Sequence, residues 1–329
     1  MVKVGLISAW HVHAPEYAKE LTDSKKASIS AVWDNDEIRG QKIAAEYGAV
    51  FFGNYDDFLA QADISAVICG APTTLHTELL CKAAAAKKNI FTEKLLATTV
   101  KDCALICKAI EENRVIFTIS LPLLSDSRIL YVKKLLEDGT LGKVTGARMR
   151  RSHGGVSDGW LPDYWFDLDS TGGGAMMDLG AHAAYILSFL FGEPKRVSGM
   201  MTNLFGTSSD ENAVALVEFN KGVIGMCETA FVTFGVPDLL EVYGTEGSVF
   251  VHGNRILLST KETEKEGHKE VEIHSLPKAM PSPLLQFLDA CVHGTGSPKY
   301  LGTDAALMMT KMIEASYASD ISGNAVRFS

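Results

Sequence analysis

Two rhythms of apolar residues alternate from the start of the chain. Short, nearly continuous apolar runs occupy residues 3–8 (KVGLIS), 28–33 (SISAVW), 64–69 (ISAVIC), 89–92 (NIFT) and 115–120 (VIFTIS), with a minimal run at Val50 and Phe51. Between them, at 15–23, 37–47, 55–60, 74–86 and 100–113, apolar residues recur three and four positions apart. Continuous runs predict strands buried on both faces, and the wider spacing predicts helices with one buried stripe. Strands and helices in alternation predict a parallel sheet covered on both sides. Two such halves within residues 1–122 predict a doubly wound sheet of the dinucleotide-binding Rossmann kind.

After Pro122 the rhythm changes. A helix is predicted at 127–136, stopped by Asp138 and Gly139, and a basic strand at 143–151 (KVTGARMRR). Further on, strands follow one another at 201–205, 213–219, 223–232, 239–244, 248–253 and 255–259, punctuated by Gly222, Gly244, Gly247 and Gly253. Successive strands with tight turns predict an antiparallel meander. The charged stretch 260–269 (TKETEKEGHK) reads as a solvated hairpin tip. Helices at 283–291 and 304–318 and a short strand at 325–328 close the chain. The fold class is therefore α/β, with a parallel-sheet domain at 1–122 and an α+β domain at 123–329.

Composition narrows the partners. The chain has 329 residues, 47% hydrophobic and 22% charged, as in ordinary globular proteins. Its net charge of −9 argues against nucleic acid or an anionic membrane as partner. No run is long and apolar enough to span a bilayer, and the chain begins directly with a strand pattern, so a cytoplasmic location is expected. Its six cysteines form no CxxC pair and fall within apolar patterns. They read as reduced core thiols, and no metal site is expected.

The chemistry gathers in three stretches. Residues 171–185 read TGGGAMMDLGAHAAY, with three glycines leading into helical spacing. On one helix Asp178 and His182, four residues apart, would share a face, so the carboxylate could orient an imidazole that exchanges protons near neutral pH. The glycines allow another group to approach the helix start closely. In the turn after the first strand, Ser8, Trp10 and His13 occupy the positions of the three phosphate-binding glycines. The following helix can still offer N–H groups, and Ser8, Ala9, Trp10, His11 and Val12 are expected to line the cofactor. Asp34 ends the second strand, where a carboxylate accepts hydrogen bonds from an adenosine ribose and repels a 2′-phosphate. NAD is therefore expected over NADP, with Arg39 facing solvent from within the next helix. Ala71, Pro72, Thr73 and His76 follow the fourth strand, and Glu93 and Lys94 follow the fifth. Such strand ends bind ligands in this architecture, and a lysine beside an acid can polarise an oxygen.

Taken together, these stretches resemble the glucose–fructose oxidoreductase / inositol dehydrogenase (Gfo/Idh/MocA) family over essentially the whole length. PTTLHTELLCKAAAAKKNIFTEKL resembles the family's stretch from P-N-x-x-H to E-K-P, and GGGAMMDLGAHAAY resembles G-G-G-x-x-x-D-x-G-x-H-x-x-D. The resemblance implies an N-terminal NAD(P) domain and a C-terminal domain on a large, mostly antiparallel sheet. It also implies that Lys94, Asp178 and His182 surround nicotinamide and substrate. Thr73 stands in place of the family's asparagine, Leu95 in place of a proline that often makes a cis turn, and Tyr185 in place of the last acid. A trans bond before Leu95 and an altered substrate hydroxyl contact at Tyr185 are expected from these departures.

The resulting reading is an NAD-dependent oxidoreductase acting on a secondary alcohol of a sugar, inositol or related polyol. His182 takes the hydroxyl proton, Lys94 stabilises charge on the reacting oxygen, Asp178 orients substrate or His182, and Glu93 positions Lys94. Arg151, Trp160 and Trp165 offer polar and aromatic faces for a polyhydroxylated ring. Two alternatives keep the same residues: elimination or glycoside cleavage with transient oxidation, and a non-catalytic ligand sensor. Apolar residues on both faces of the strands at 213–219, 223–232 and 239–243 predict a homodimer or homotetramer through the C-terminal sheet.

Overall fold

The computed structural model describes residues 1–267 and 269–328. The chain divides into two compact units: Met1–Pro122 with Pro281–Thr310, and a second that begins at Leu123, runs to Met280 and resumes at Lys311.

In the first unit the alternating pattern becomes β1 (Val2–Ile7), α1 (Ala14–Asp23), β2 (Ala27–Trp33), α2 (Glu37–Tyr47), β3 (Val50–Phe51), α3 (Tyr55–Leu59), β4 (Ala66–Cys69), α4 (His76–Ala85), β5 (Asn89–Thr92), α5 (Val100–Asn113) and β6 (Phe117–Ile119). All six strands are parallel, in the order β3-β2-β1-β4-β5-β6. The sheet grows outward in both directions from β1 and β4. This is the topological switch point, where a crevice opens at the carboxyl ends of the strands. Ser8, Gly70 and Glu93 stand at the ends of β1, β4 and β5 around it.

One part of this unit arrives from far along the chain. Helix α11 (Pro283–His293) lays Leu284, Phe287 and Leu288 into the same buried cluster as Val4, Leu6 and Phe91. The Phe287 and Phe91 rings lie 5.8 Å apart. The backbone of β6 is also closed from there, with Phe117 N–H donating to Ser297 Oγ at 3.0 Å and Ile119 N–H to the Leu301 carbonyl at 2.9 Å. The expected assignment of all of 123–329 to one domain is thereby corrected. A parallel sheet must be covered on both faces, and this cover is supplied from a distant stretch that no local pattern announces.

The second unit contains α6 (Ser127–Glu137), β7 (Val144–Ser152), α7 (Leu168–Thr171), α8 (Ala175–Asp178), α9 (Gly180–Phe191), β8 (Pro194–Thr202), β9 (Asn212–Phe219), β10 (Ile224–Ala230), β11 (Leu239–Gly244), β12 (Gly247–His252), β13 (Arg255–Thr260), α10 (Lys261–Lys265), β14 (Val271–Glu272) and β15 (Val326–Arg327). Helix α12 (Thr303–Ser322) contains the boundary between the units, after Thr310. The nine strands run in the order β14-β13-β12-β11-β7-β10-β9-β8-β15. Neighbours are antiparallel except β7 and β10, so β7 interrupts the expected meander. Alternation along β9 buries Ala213, Ala215, Val217 and Phe219, while Leu216 on the other face is exposed. The buried side of the sheet packs against α9 at β7 and β10 and against α8 at β9, and most of α9 is buried.

Two local expectations fail for local reasons. Residues 203–207 form a loop rather than a strand, because the buried Glu211 carboxylate accepts the N–H groups of Leu204, Phe205 and Thr207 at 2.7, 2.6 and 3.0 Å. The supposed hairpin tip carries α10, started by Thr260 and Thr263 in a reciprocal cap. His268 of that stretch lies outside the described residues. No disulfide joins any of the six cysteines. Among the described residues no single helix is long and apolar enough to cross a membrane. The bent pair Leu168–Asp178 and Gly180–Phe191 reaches that length and apolarity only in combination.

Candidate active site

In the first unit the glycine-poor turn is built on side-chain bonds. Ser8 adopts φ +59° and turns the chain as a glycine would. Its hydroxyl donates to the Asp34 carboxylate at 3.0 Å and accepts from the Trp10 N–H at 3.2 Å. Close approach is supplied from the neighbouring strand instead: at Gly70 a Cβ would sit 2.9 Å from the Ser8 carbonyl oxygen. His11 N–H then donates to the Gly70 carbonyl at 2.9 Å. Trp10 is packed inward, while Val12 is exposed.

Asp34 is buried at the end of β2, and its carboxylate is heavily engaged. It accepts from Ala9 N–H and Asp36 N–H, each at 2.9 Å, and from the Arg39 guanidinium at 2.9 and 2.5 Å. The expectation that Arg39 faces solvent is corrected: it folds back over the acid one turn earlier. A carboxylate this deep requires a counter-charge, and Arg39 is within reach.

The end of β5 carries a second polar cluster. Glu93 is only 2% exposed, and its Oε1 lies 2.8 Å from His13 Nδ1 and 3.8 Å from His11 Nδ1. Tyr17 donates its hydroxyl to the same oxygen and lies 2.8 Å from Ser120 Oγ. The other oxygen, Oε2, accepts the Lys94 backbone N–H at 2.9 Å. Burial alone would raise the Glu93 pKa, but the His11 and His13 charges, the His13 hydrogen bond and Lys94 together hold it far below the usual range. Burial pulls His13 down, and Glu93 outweighs it, leaving His13 above its ordinary value. Tyr17 keeps its proton, since burial and the Glu93 charge push its pKa far up. Tyr17 and Ser120 escape a reading of motifs, although Tyr17 stands four residues after His13 and so shares its side of α1.

Other expected contacts divide. Ala71 and Pro72 are buried in the turn after β4, and Thr73 begins a 3-10 turn. His76 is fully buried, its ring nitrogens 3.1 and 3.2 Å from the Ala71 and Leu96 carbonyls. It clamps two loops together. The Lys94–Leu95 bond is cis, against the expected trans bond, and the Lys94 side chain is buried.

In the second unit Gly174 admits the loop that leads into β9. A Cβ on Gly174 would collide with the Asp210 carbonyl, and the Asp210 carboxylate accepts Gly174 N–H at 2.8 Å and Met176 N–H at 2.7 Å. The helix expected to carry both Asp178 and His182 is broken at Leu179, with a 52° bend between its halves. Asp178 ends α8 and accepts from Trp165 Nε1 at 3.3 Å. Trp165 is buried, which assigns its N–H to the carboxylate in place of the expected stacking on a substrate ring. His182 lies on α9 with Nδ1 2.8 Å from the Tyr185 hydroxyl, which also accepts the Leu123 N–H at 3.3 Å. Tyr185 is 2% exposed, and its hydroxyl lies against the imidazole.

Close to Asp178 lies a further histidine from the stretch that flanks the site in sequence. His153 stacks on Phe231 at 5.2 Å and meets the half-exposed Trp160 at 4.6 Å. Burial pushes its pKa down, opposed by the Asp178 charge. Arg151, at the end of β7, is paired with Asp238 at 2.8 Å.

A parallel sheet with an acid ending β2, joined to a unit that holds a histidine and a carboxylate on a broken helix, defines the class of two-unit nucleotide-binding oxidoreductases. Residues 2–121 match the oxidoreductase family with an NAD-binding Rossmann fold, and residues 129–250 match the GFO/IDH/MocA C-terminal domain. The chain belongs to the Gfo/Idh/MocA family of oxidoreductases. It is 26% identical over 260 residues to the 2,7-anhydro-N-acetylneuraminate hydratase of Escherichia coli (strain K12), covering 76% of this chain and 67% of that protein. It is 28% identical over 258 residues to the scyllo-inositol 2-dehydrogenase (NAD(+)) of Bacillus subtilis (strain 168), covering 74% and 73% of the two. The fold is also that of levoglucosan dehydrogenase solved with NADH and levoglucosan, at a TM-score of 0.88 and 17% identity over 100% of this chain and 99% of that one.

Proposed function

We propose that this chain is an NAD-dependent dehydrogenase acting on a secondary alcohol of a sugar, inositol or related polyol. The observation that carries the reading is His182 held through Nδ1 by a buried tyrosine, on a helix beginning just after Asp178, in a fold of this family. Proton exchange with the substrate hydroxyl is assigned to Nε2 of that ring. Within the first unit, Lys94 at the end of β5 is the group assigned to stabilise developing negative charge. Glu93 fixes the Lys94 backbone through its N–H, and Asp178, aimed by Trp165, orients a substrate hydroxyl. The first-unit crevice fits a dinucleotide: Ser8 and Gly70 permit close approach, and Asp34 stands at the ribose position. Ser8, Ala9, His11, Asp34, Ala71, Pro72 and Thr73 would hold NAD, whose nicotinamide accepts hydride from the carbinol carbon when bound. The acid favours NAD over NADP, and Arg39 must yield part of Asp34 to the ribose. A polyol panel followed near about 340 nm tests the reading. Accumulating NADH supports it, and no turnover of any polyol with either cofactor would defeat it.

A second reading is favoured by the relative named as a hydratase. In elimination or cleavage with transient oxidation the same residues serve and NADH does not accumulate, so product analysis separates the two. We further assign a homo-oligomer to the exposed face of the second sheet, where Leu216, Ile224 and Tyr243 lie. Sedimentation showing only monomer at micromolar concentration would remove that assignment.

A further inference from the structure

We propose that His11, His13 and Glu93 form a binding site for one divalent ion of the zinc class within the first unit. One ring nitrogen of each histidine and one carboxylate oxygen lie within 4.8 Å of one another. Tetrahedral zinc with bonds of about 2.0–2.2 Å places its donors about 3.3 Å apart. The two separations from Glu93 Oε1, 2.8 and 3.8 Å, bracket that value.

The local chain favours this geometry. In His11-Val12-His13 the valine is 43% exposed, and both imidazoles point the other way, toward Glu93. His13 N–H donates to His11 Nδ1 at 3.2 Å, a bond that the ion would replace, and ligation would release the protons the rings carry. Around the set stand Tyr17, hydrogen-bonded to Glu93 and near Ser120, and the Lys94 N–H on the far carboxylate oxygen. Such outer partners orient a ligating carboxylate. The half-exposed His13 leaves a way in. Two imidazoles with one carboxylate suit zinc, copper or nickel better than calcium or magnesium, which prefer oxygen ligands. The ion would fasten the turn after β1, which lacks the usual glycines, to the end of β5.

The test is made without nucleotide, so failure of the dehydrogenase reading leaves it intact. Untagged protein is stripped with chelator and titrated with zinc by calorimetry and with cobalt by visible absorption. One equivalent should bind, with the cobalt spectrum showing tetrahedral d–d bands. His11→Ala, His13→Ala and Glu93→Gln should each weaken binding by at least the roughly 10–100-fold that even outer partners cost. His182→Ala, in the other unit, should bind as wild type, and circular dichroism checks that each variant is folded. No stoichiometric uptake by wild type would show that the cluster is a hydrogen-bond network only. Equal binding by folded His11→Ala and His13→Ala variants would place the ion elsewhere, and either outcome overturns the proposal.

Discussion

His13 and His182 each have Nδ1 2.8 Å from an oxygen, one belonging to the Glu93 carboxylate and the other to the Tyr185 phenol. The distances match, and the chemistry does not. A buried carboxylate draws a cation to itself, whether a proton on the ring or a metal ion, because an uncompensated charge there is costly. A phenol carries no charge and fixes only the ring's orientation. The first unit therefore stores charge beside its loop, whereas the second orients a histidine through a neutral partner. Partner identity, more than distance, tells a positioned histidine from a charged one.

The largest break in this comparison comes from His182 itself. His182→Ala should lower turnover on the true substrate by roughly 10²–10⁴, the span of acid–base groups, and leave NAD affinity little changed. Near-normal turnover with collapsed NAD binding would make His182 a cofactor contact. Exchanging the partner sharpens the contrast. Tyr185→Phe leaves a buried ring nitrogen without its partner and should destabilise folding by about 1–3 kcal/mol. Tyr185→Asp places an anion there, favours the protonated ring, and should move the corresponding limb of the pH–rate profile to higher pH. An unchanged profile would show that the phenol and an acid are equivalent at that position.

Asp34 extends the test to a carboxylate with a permanent partner. Asp34→Ala should cost on the order of 1.5–3 kcal/mol of NAD binding and relax the bias against NADP. Equal wild-type affinity for both cofactors would overturn the ribose assignment. The smallest effect belongs to His76, whose pKa burial pushes below its ordinary value of 6.5, against the pull of two carbonyls. The unfolded chain binds a proton there that the folded protein resists. Stability from this group is therefore full above the unfolded value and falls as pH drops below about 6.5, by up to roughly 1.4 kcal/mol per unit of depression. Urea unfolding between neutral and mildly acidic pH should show that slope, and His76→Gln should flatten it. An equal slope in the variant would assign the loss to other groups.

Much of this was legible in the residues. The six parallel strands follow from runs buried on both faces, a signal carried within each segment. The two motifs located Glu93, Lys94, Asp178 and His182. What escaped was long-range or directional. Nothing near Pro283 says that its helix covers a sheet made by residues 2–119, and nothing near Val144 says that β7 pairs in parallel with β10. Arg39 pointing back at Asp34, and Tyr185 pointing at His182, depend on side-chain direction within helices correctly placed. The three glycines announced a close approach but not that Asp210 would make it.

The return of α11 bears on the order in which the protein can be made. During synthesis the first sheet emerges complete in its strands while Leu284, Phe287 and Leu288 are still untranslated. Val4, Leu6 and Phe91 then lack part of their cover until nearly the whole chain has left the ribosome. The N-terminal segment is consequently no portable cassette, since a fragment ending at Pro122 would present an apolar sheet face to water. The part of the protein translated first is among the last to be finished.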